Sequence, residues 1–174
     1  MTGTDGDFAL NIRWRLGHRA FEVVLAALIK TLGLATEQLV AGDYPALCQS
    51  MATAAQLLAS ATCAMHFATD FDPDIYRGEV RPTMEPPNMP PGFSGTLNQR
   101  HAEFLQRYRS FETTIKIQFG NQLETAPADI SAAWKSVVKM RSKSLAAHGL
   151  VCEKFVPGGE SLLEQHVRKE KDKR

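Results

Sequence analysis

Apolar side chains recur every three or four residues along most of the chain, which is the spacing of one helix face. The first such pattern covers about residues 8–41 and ends at Gly42. Its apolar positions share one row with His18, and they are Trp14, Phe21, Leu25, Leu28, Leu32, Ala35 and Leu39. The pattern predicts a long amphipathic helix.

Three further segments have the same periodicity. A second helix is predicted from about Asp43, with Pro45 in its first turn, and a third over about residues 97–120. A fourth is predicted over about residues 127–156, beginning at Pro127. The inward row expected for this fourth helix is Trp134, Val138, Arg141, Leu145, His148, Cys152 and Phe155.

Between the second and third helices the periodicity stops. The segment "FDPDIYRGEVRPTMEPPNMPPGFSG" holds six of the nine prolines, which predicts a loop rather than a helix or a strand. Because it also carries Phe71, Ile75, Tyr76, Met84 and Phe93, we expect an ordered loop packed on the helices. A short helix is predicted near "ESLLEQHVRKEK", with frayed ends at 1–7 and 168–174. The predicted fold is therefore a single all-α domain, a bundle of four main helices plus a short C-terminal helix.

Composition narrows the possible functions. A formal net charge of +1 gives no electrostatic basis for binding nucleic acid. No uninterrupted apolar run reaches about 18 residues, and "MTGTDGDFALNIRWR" lacks the features of a secretory signal. We therefore expect a cytoplasmic protein without a membrane partner. The three cysteines show no CxxC spacing, which indicates reduced thiols rather than a zinc site or disulfides.

Two histidines interrupt the apolar rows, His18 in the first helix and His148 in the fourth. Helical bundles build cofactor sites from side chains on facing helices, and a neutral imidazole is a common axial ligand of haem iron. The alternative is that both are hydrogen-bonded core residues. His101 and His66 lie near acidic residues, but neither shows the spacing of a carboxylate-bridged metal site.

Three stretches, in order, resemble the tryptophan 2,3-dioxygenase superfamily of histidine-ligated haem enzymes. The first, "WRLGHRAFEVVLAALI", is similar to the segment that carries the family's distal histidine. The resemblance implies that His18 is this distal histidine. It also implies that Trp14 and Phe21 contact the substrate.

The other two stretches complete the resemblance. "YRGEVRP" followed by "GFSG" implies that Arg77 binds the substrate carboxylate and that Phe93 and Ser94 lie in a turn closing the pocket. The stretch "VVKMRSKSLAAHGLVCEKFVPGGESLL" is similar to the proximal-histidine helix and its glycine-rich loop. It implies that His148 is the iron ligand, that Arg141 helps to bind the cofactor, and that Gly158 and Gly159 lie beside the substrate.

The resemblance implies a haem b-dependent oxygenase that inserts oxygen, from dioxygen or a peroxide, into an indole or another small aromatic amino acid derivative. It also implies a homo-oligomer, a dimer or tetramer. The shortened loop "VPGGES" and Pro73, which stands in the place of a family tyrosine, favour a second reading, a haem-dependent hydroxylase of a natural-product pathway. A third hypothesis is a helical interaction module without haem.

Overall fold

The structure, a computed structural model, describes residues 5–89 and 97–158, with side chains from Ile12 onward. Its four long helices are α1 (Asp5–Ala41), α2 (Tyr44–Thr69), α4 (Gln99–Phe119) and α5 (Ala128–Phe155). Between α2 and α4 lie one α-helical turn, α3 (Pro73–Ile75), a π-helical turn and a 3₁₀ turn. These two turns span Tyr76–Val80 and Arg81–Met84. The described residues contain no strand, and the prediction of an all-α bundle is confirmed. The predicted C-terminal helix lies outside them.

Local sequence sets the helix boundaries. Gly42 ends α1 with a positive φ of 72°, and the Asp43 side chain then accepts a hydrogen bond from the backbone N–H of Ala46 at 3.2 Å. At the start of α4, the Asn98 side chain accepts from the N–H of His101 at 2.8 Å. All four long helices begin and end within a few residues of the bounds predicted from the sequence.

The long helices alternate in direction around a common core. α1 packs along α2 and α4, and α2 packs along α5. Ring contacts mark the two ends of the bundle: Tyr44 and Phe119 at one end, with centroids 5.8 Å apart, and Trp14 and Phe155 at the other, 6.4 Å apart. Because the start of α4 contacts Glu22, α1 extends beyond α4 at the Trp14 end.

The buried side chains form two clusters. The main core contains residues from all four long helices, and Leu47, Phe111, Ile115, Ile130 and Val137 are inaccessible to solvent within it. A smaller aromatic cluster occupies the Trp14 end of the bundle. Its buried members are Phe71, Tyr76, Val80, Met84 and Phe155, and Trp14 packs against them.

The segment after α2 differs from the prediction, because residues 73–84 form helical turns rather than a loop. Asp72 caps the first turn by accepting from the N–H of Asp74 at 2.7 Å. Pro73 and Pro82 each stand at the start of a turn, where a missing N–H costs nothing. The expected packing is confirmed for Phe71, Tyr76 and Met84, which are buried in the aromatic cluster.

The predicted inward row of α5 is confirmed at its two ends, Trp134 and Phe155, and is wrong at most positions between them. Val138 and Leu145 are 39% and 54% exposed, and His148 and Cys152 are exposed too. The buried row is instead Ile130, Trp134, Val137 and, after an interval, Phe155. The physical reason is that α5 extends past the start of α4. In the part of the chain that the structure describes, no helix covers this face of α5 beyond that point.

Candidate functional site

His18 lies on α1, one turn after Trp14, and is half-buried. Its Nδ1–H donates to the Trp14 carbonyl at 2.8 Å, and the two ring centroids are 4.2 Å apart. Burial lowers the pKa of His18, and the Trp14 carbonyl and the Glu22 carboxylate oppose that shift. The imidazole is therefore neutral at pH 7. Because a carbonyl only accepts, this hydrogen bond assigns the proton to Nδ1 and leaves Nε2 as the acceptor.

His148 lies on the exposed face of α5 beside a thiol. Cys152 is one helical turn further on, and its Sγ is 3.7 Å from the His148 Nε2 and 3.8 Å from Nδ1. Burial raises the pKa of the Cys152 thiol, so it stays protonated at neutral pH. A nitrogen donor and a sulfur donor therefore share one surface of α5.

His101, in the first turn of α4, is a residue that the sequence reasoning had set aside. It is half-buried, and burial lowers its pKa. Its electrostatic interaction with His148 lowers the pKa further, while Glu22 acts in the opposite direction. His101 and His148 are thus close enough to interact electrostatically across the gap between α4 and α5. The signal was present in the sequence, since His101 interrupts the row of Phe104, Tyr108 and Phe111 as His18 interrupts that of α1.

Trp14 packs into the aromatic cluster. Its ring centroid is 5.5 Å from that of Tyr76 and 6.3 Å from that of Phe71. Tyr76 in turn lies 4.7 Å from Phe155, and burial raises the pKa of its hydroxyl. The indole is held on one side by this cluster and on the other by His18, so its position is fixed.

The two arginines of the "YRGEVRP" stretch differ in environment. The Arg77 side chain is 53% exposed and forms an ion pair with Asp74, the surface interaction that would give it a purely structural role. The Arg81 side chain is only 15% exposed; its Nε donates to Glu85 at 3.1 Å, and it hydrogen-bonds Tyr76. Arg81, which the sequence reasoning missed, is therefore the inward arginine. The carboxylate-binding role of Arg77 stays a prediction.

The remaining predicted residues lie in different places. Phe21 packs at the edge of the main core. The guanidinium of Arg141 lies 4.5 Å from the centroid of the buried Tyr108 ring, and burial raises the pKa of Tyr108 to about 12. Gly158 has a φ of 82° and is exposed just after α5. Phe93, Ser94 and Gly159 lie outside the described residues.

The described histidines do not belong to a cluster of side chains that could bind a bare metal ion. Within residues 5–89 and 97–158, no group of three His, Cys, Asp or Glu side chains is placed to hold a metal ion. What the fold provides instead is His101 on α4 within electrostatic reach of His148 on α5, with His18 and the aromatic cluster near the same end of the bundle. The candidate residues thus come from three helices of an all-α bundle.

Comparison with known proteins identifies the family. The family model described as SfmD 3-methyl-L-tyrosine peroxygenase matches residues 4–133. Because this match covers most of the chain, the chain belongs to that family. The matched range includes Trp14, His18, Arg77 and His101, and it ends before His148.

A curated relative supports the same assignment. The 3-methyl-L-tyrosine peroxygenase of Streptomyces lavendulae is 32% identical over 93 residues, which are 53% of this chain and 25% of the relative. The chain therefore matches about a quarter of that protein's length. No solved structure matches the chain. The wider likeness to the tryptophan 2,3-dioxygenase superfamily stays a prediction.

Proposed function

We propose that the chain is part of a haem-dependent oxygenase that acts on an aromatic amino acid and takes its oxygen from a peroxide. The observation that carries the proposal is the half-buried imidazole of His18, held against Trp14 by a 2.8 Å hydrogen bond to its carbonyl, in a chain that belongs to a peroxygenase family. The relative's name supports the choice of substrate class and of peroxide as the oxygen source.

The described residues fit haem in their donor chemistry. A bare ion needs at least three convergent protein ligands, whereas haem iron takes four nitrogens from the porphyrin and one or two ligands from the protein. His148 offers an exposed imidazole that matches this requirement, with the Cys152 thiol beside it. Arg141 would supply a positive charge on the same helix, two turns before His148. When bound, haem would supply the activation of peroxide or dioxygen.

The protein's own contribution would be binding and proton transfer. His18 in its neutral form, with Nε2 as acceptor, is suited to receive the proton of a phenol or an indole N–H. Its hydrogen bond to Trp14 fixes the ring's tautomer and orientation. Trp14 is itself held by Tyr76 and Phe71, so the acceptor nitrogen is anchored to the aromatic cluster. Arg77, or the inward Arg81, would bind the substrate carboxylate.

The proposed reaction balances as an oxygen-atom transfer from peroxide. One peroxide oxygen enters a C–H bond of the aromatic ring, and the other leaves with two hydrogens as water. Peroxide labelled with ¹⁸O should therefore place one labelled atom in the product. Two atoms from labelled dioxygen would instead support the dioxygenase hypothesis.

The first test is the absorption spectrum of the full chain titrated with haem. We expect a Soret band in the wild type, its loss in His148→Ala, and its retention in His18→Ala and in His66→Ala. His66 is the matched control, because it is an exposed histidine on α2. An unchanged band in His148→Ala would overturn the assignment of the ligand, and no specific binding in the wild type would favour the interaction-module hypothesis.

The proposal includes self-association, for which α1 provides a surface. Ile12, Leu16, Val23 and Leu34 lie on the outward face of α1 and are 41–70% exposed. By length and composition α1 is also the one described helix that could cross a membrane, although it lines the main core. Arg15 and Arg19 lie near one end of the outward face and Glu37 near the other, so antiparallel pairing of two copies would bring opposite charges together. A monomer in sedimentation would contradict this.

A further inference from the structure

Glu22 connects two helices beside the histidines. Its carboxylate is hydrogen-bonded by the Asn98 side-chain amide and lies 3.2 Å from Nε of Arg100. Glu22 is on α1, whereas Asn98 and Arg100 belong to the start of α4. These contacts close one wall of a polar cleft of about 420 Å³, which Gln99 and Glu103 also line.

Asn98 carries the connection from Glu22 to His101. While its side-chain nitrogen donates to Glu22, its side-chain oxygen accepts the backbone N–H of His101 at 2.8 Å. The amide thus bridges the carboxylate on α1 and the helical turn that carries His101. Removal of the carboxylate would leave this N-cap without its anchor on α1.

Glu22 is also one helical turn after His18, so the two side chains lie on neighbouring positions of the same face of α1. The carboxylate raises the pKa of His18 against the effect of burial. It acts in the same direction on His101. Glu22 is therefore the one described carboxylate that influences both of these histidines.

We propose that Glu22 is a positioning residue of the site: its carboxylate fixes the first turn of α4, and with it His101, against the part of α1 that carries His18. Two independent interactions, with Asn98 and with Arg100, hold the carboxylate in place. Its charge keeps His18 closer to titration at neutral pH than burial alone would. The role of Glu22 in the reaction rests on the proposed oxygenase activity, whereas its contacts with Asn98 and Arg100 do not.

Two variants separate the charge of Glu22 from its anchoring role. Glu22→Gln keeps an oxygen that can accept from Asn98 and removes the charge, whereas Glu22→Ala removes both. Glu103→Gln is the matched control, because it removes the same charge from the same cleft without a contact to either histidine. Each variant is studied as the full chain, and the helical content by circular dichroism checks that it folds.

The first measurement is an NMR titration of His18 in protein without haem. Glu22→Gln should weaken the proton affinity of His18 roughly two- to fivefold, the range expected for the interaction of two partly exposed charges. Glu103→Gln should leave the titration where it is in the wild type. An unchanged His18 titration in Glu22→Gln, or an equal change in Glu103→Gln, would overturn the electrostatic part of the proposal.

The second measurement is hydrogen exchange of the His101 amide. We expect faster exchange in Glu22→Ala, because Asn98 loses its anchor, and near wild-type exchange in Glu22→Gln. Wild-type exchange in Glu22→Ala would overturn the positioning role. Both measurements are independent of haem, so a failure of haem binding would refute the proposed function and leave this inference standing.

Discussion

The main core and the aromatic cluster are built differently. The main core draws on all four long helices and reaches the Tyr44–Phe119 end of the bundle, and several of its side chains are inaccessible to solvent. The aromatic cluster is formed by helix ends and the turns of residues 73–84, and its buried members are up to 9% exposed. The candidate site residues lie beside the second, where helices of unequal length leave polar side chains accessible. Local opening is easier at such ends than in a closed core.

Polar contacts also join the helices around the aromatic cluster. The last carbonyls of α2 have no partner within their own helix. Arg13 of α1 donates to the Phe67 carbonyl at 2.8 Å, and Lys154 of α5 donates to the Thr69 carbonyl at 3.0 Å. Cations at a helix C-terminus also interact favourably with its dipole. Three helices are thereby joined at the end that carries the site.

The largest effect should come from cavities in the two clusters. Phe111→Ala in the main core should lower the free energy of unfolding by about 3–5 kcal/mol, because the fully buried ring leaves a void. Phe155→Ala should cost about 3 kcal/mol, since the bundle end can relax into the gap. Denaturant unfolding measures both losses.

The same pair of variants distinguishes structural from functional roles. Haem binding by the folded fraction should survive in Phe111→Ala and weaken in Phe155→Ala, whose ring contacts Trp14 and Tyr76. Equal haem affinity in the two variants would show that the aromatic cluster does not support the site.

A smaller loss of stability is expected at Gly17, where α1 lies close to α2. A Cβ at Gly17 would lie 2.4 Å from the Cβ of Ala68, so Gly17→Ala must separate the helices next to His18. We expect a loss of about 1–3 kcal/mol. Gly33→Ala is the matched control on the same helix, because a Cβ there meets nothing within 4 Å. Thermal unfolding should show this control stabilised by about 0.5–1 kcal/mol.

The smallest expected effect is a pH dependence that originates at the site. His18 and His101 have pKa values below 6.5 in the folded chain, so the unfolded chain binds more protons as pH falls below that value. Stability should therefore be fully present above about pH 6.5 and decline as pH falls through the lower folded pKa values. Denaturant unfolding at several values between about pH 7.5 and pH 5, the range in which histidine titrates, tests this: the midpoint should fall with pH.

Replacement of His18 measures how much of this pH dependence of stability comes from that residue. His18→Gln should reduce the decline, and the exposed His66 provides the comparison variant His66→Gln. A decline of the same size in His18→Gln and in the wild type would show that His18 does not contribute.

Sequence periodicity was sufficient for the helices, because burial of an apolar row is a local pattern with a fixed spacing. It predicted α1 and its row through Leu25, Leu32 and Leu39, together with the glycine that ends the helix. It failed for residues 73–84, where prolines at the starts of short turns were interpreted as breaks. A proline that starts a short helical turn and a proline that interrupts a helix cannot be distinguished by composition alone.

The sequence by itself determined the helical fold and indicated that polar residues within apolar rows, His18 and His148 among them, belong to a site. Only the tertiary structure decided which of them meet. It brought His101 within electrostatic reach of His148, turned Arg81 inward and Arg77 to the surface, and connected Glu22 to Asn98 across two helices. The physical reason is that periodicity fixes the face of a helix, whereas its neighbours are fixed by the lengths and directions of the other helices, which no local pattern encodes.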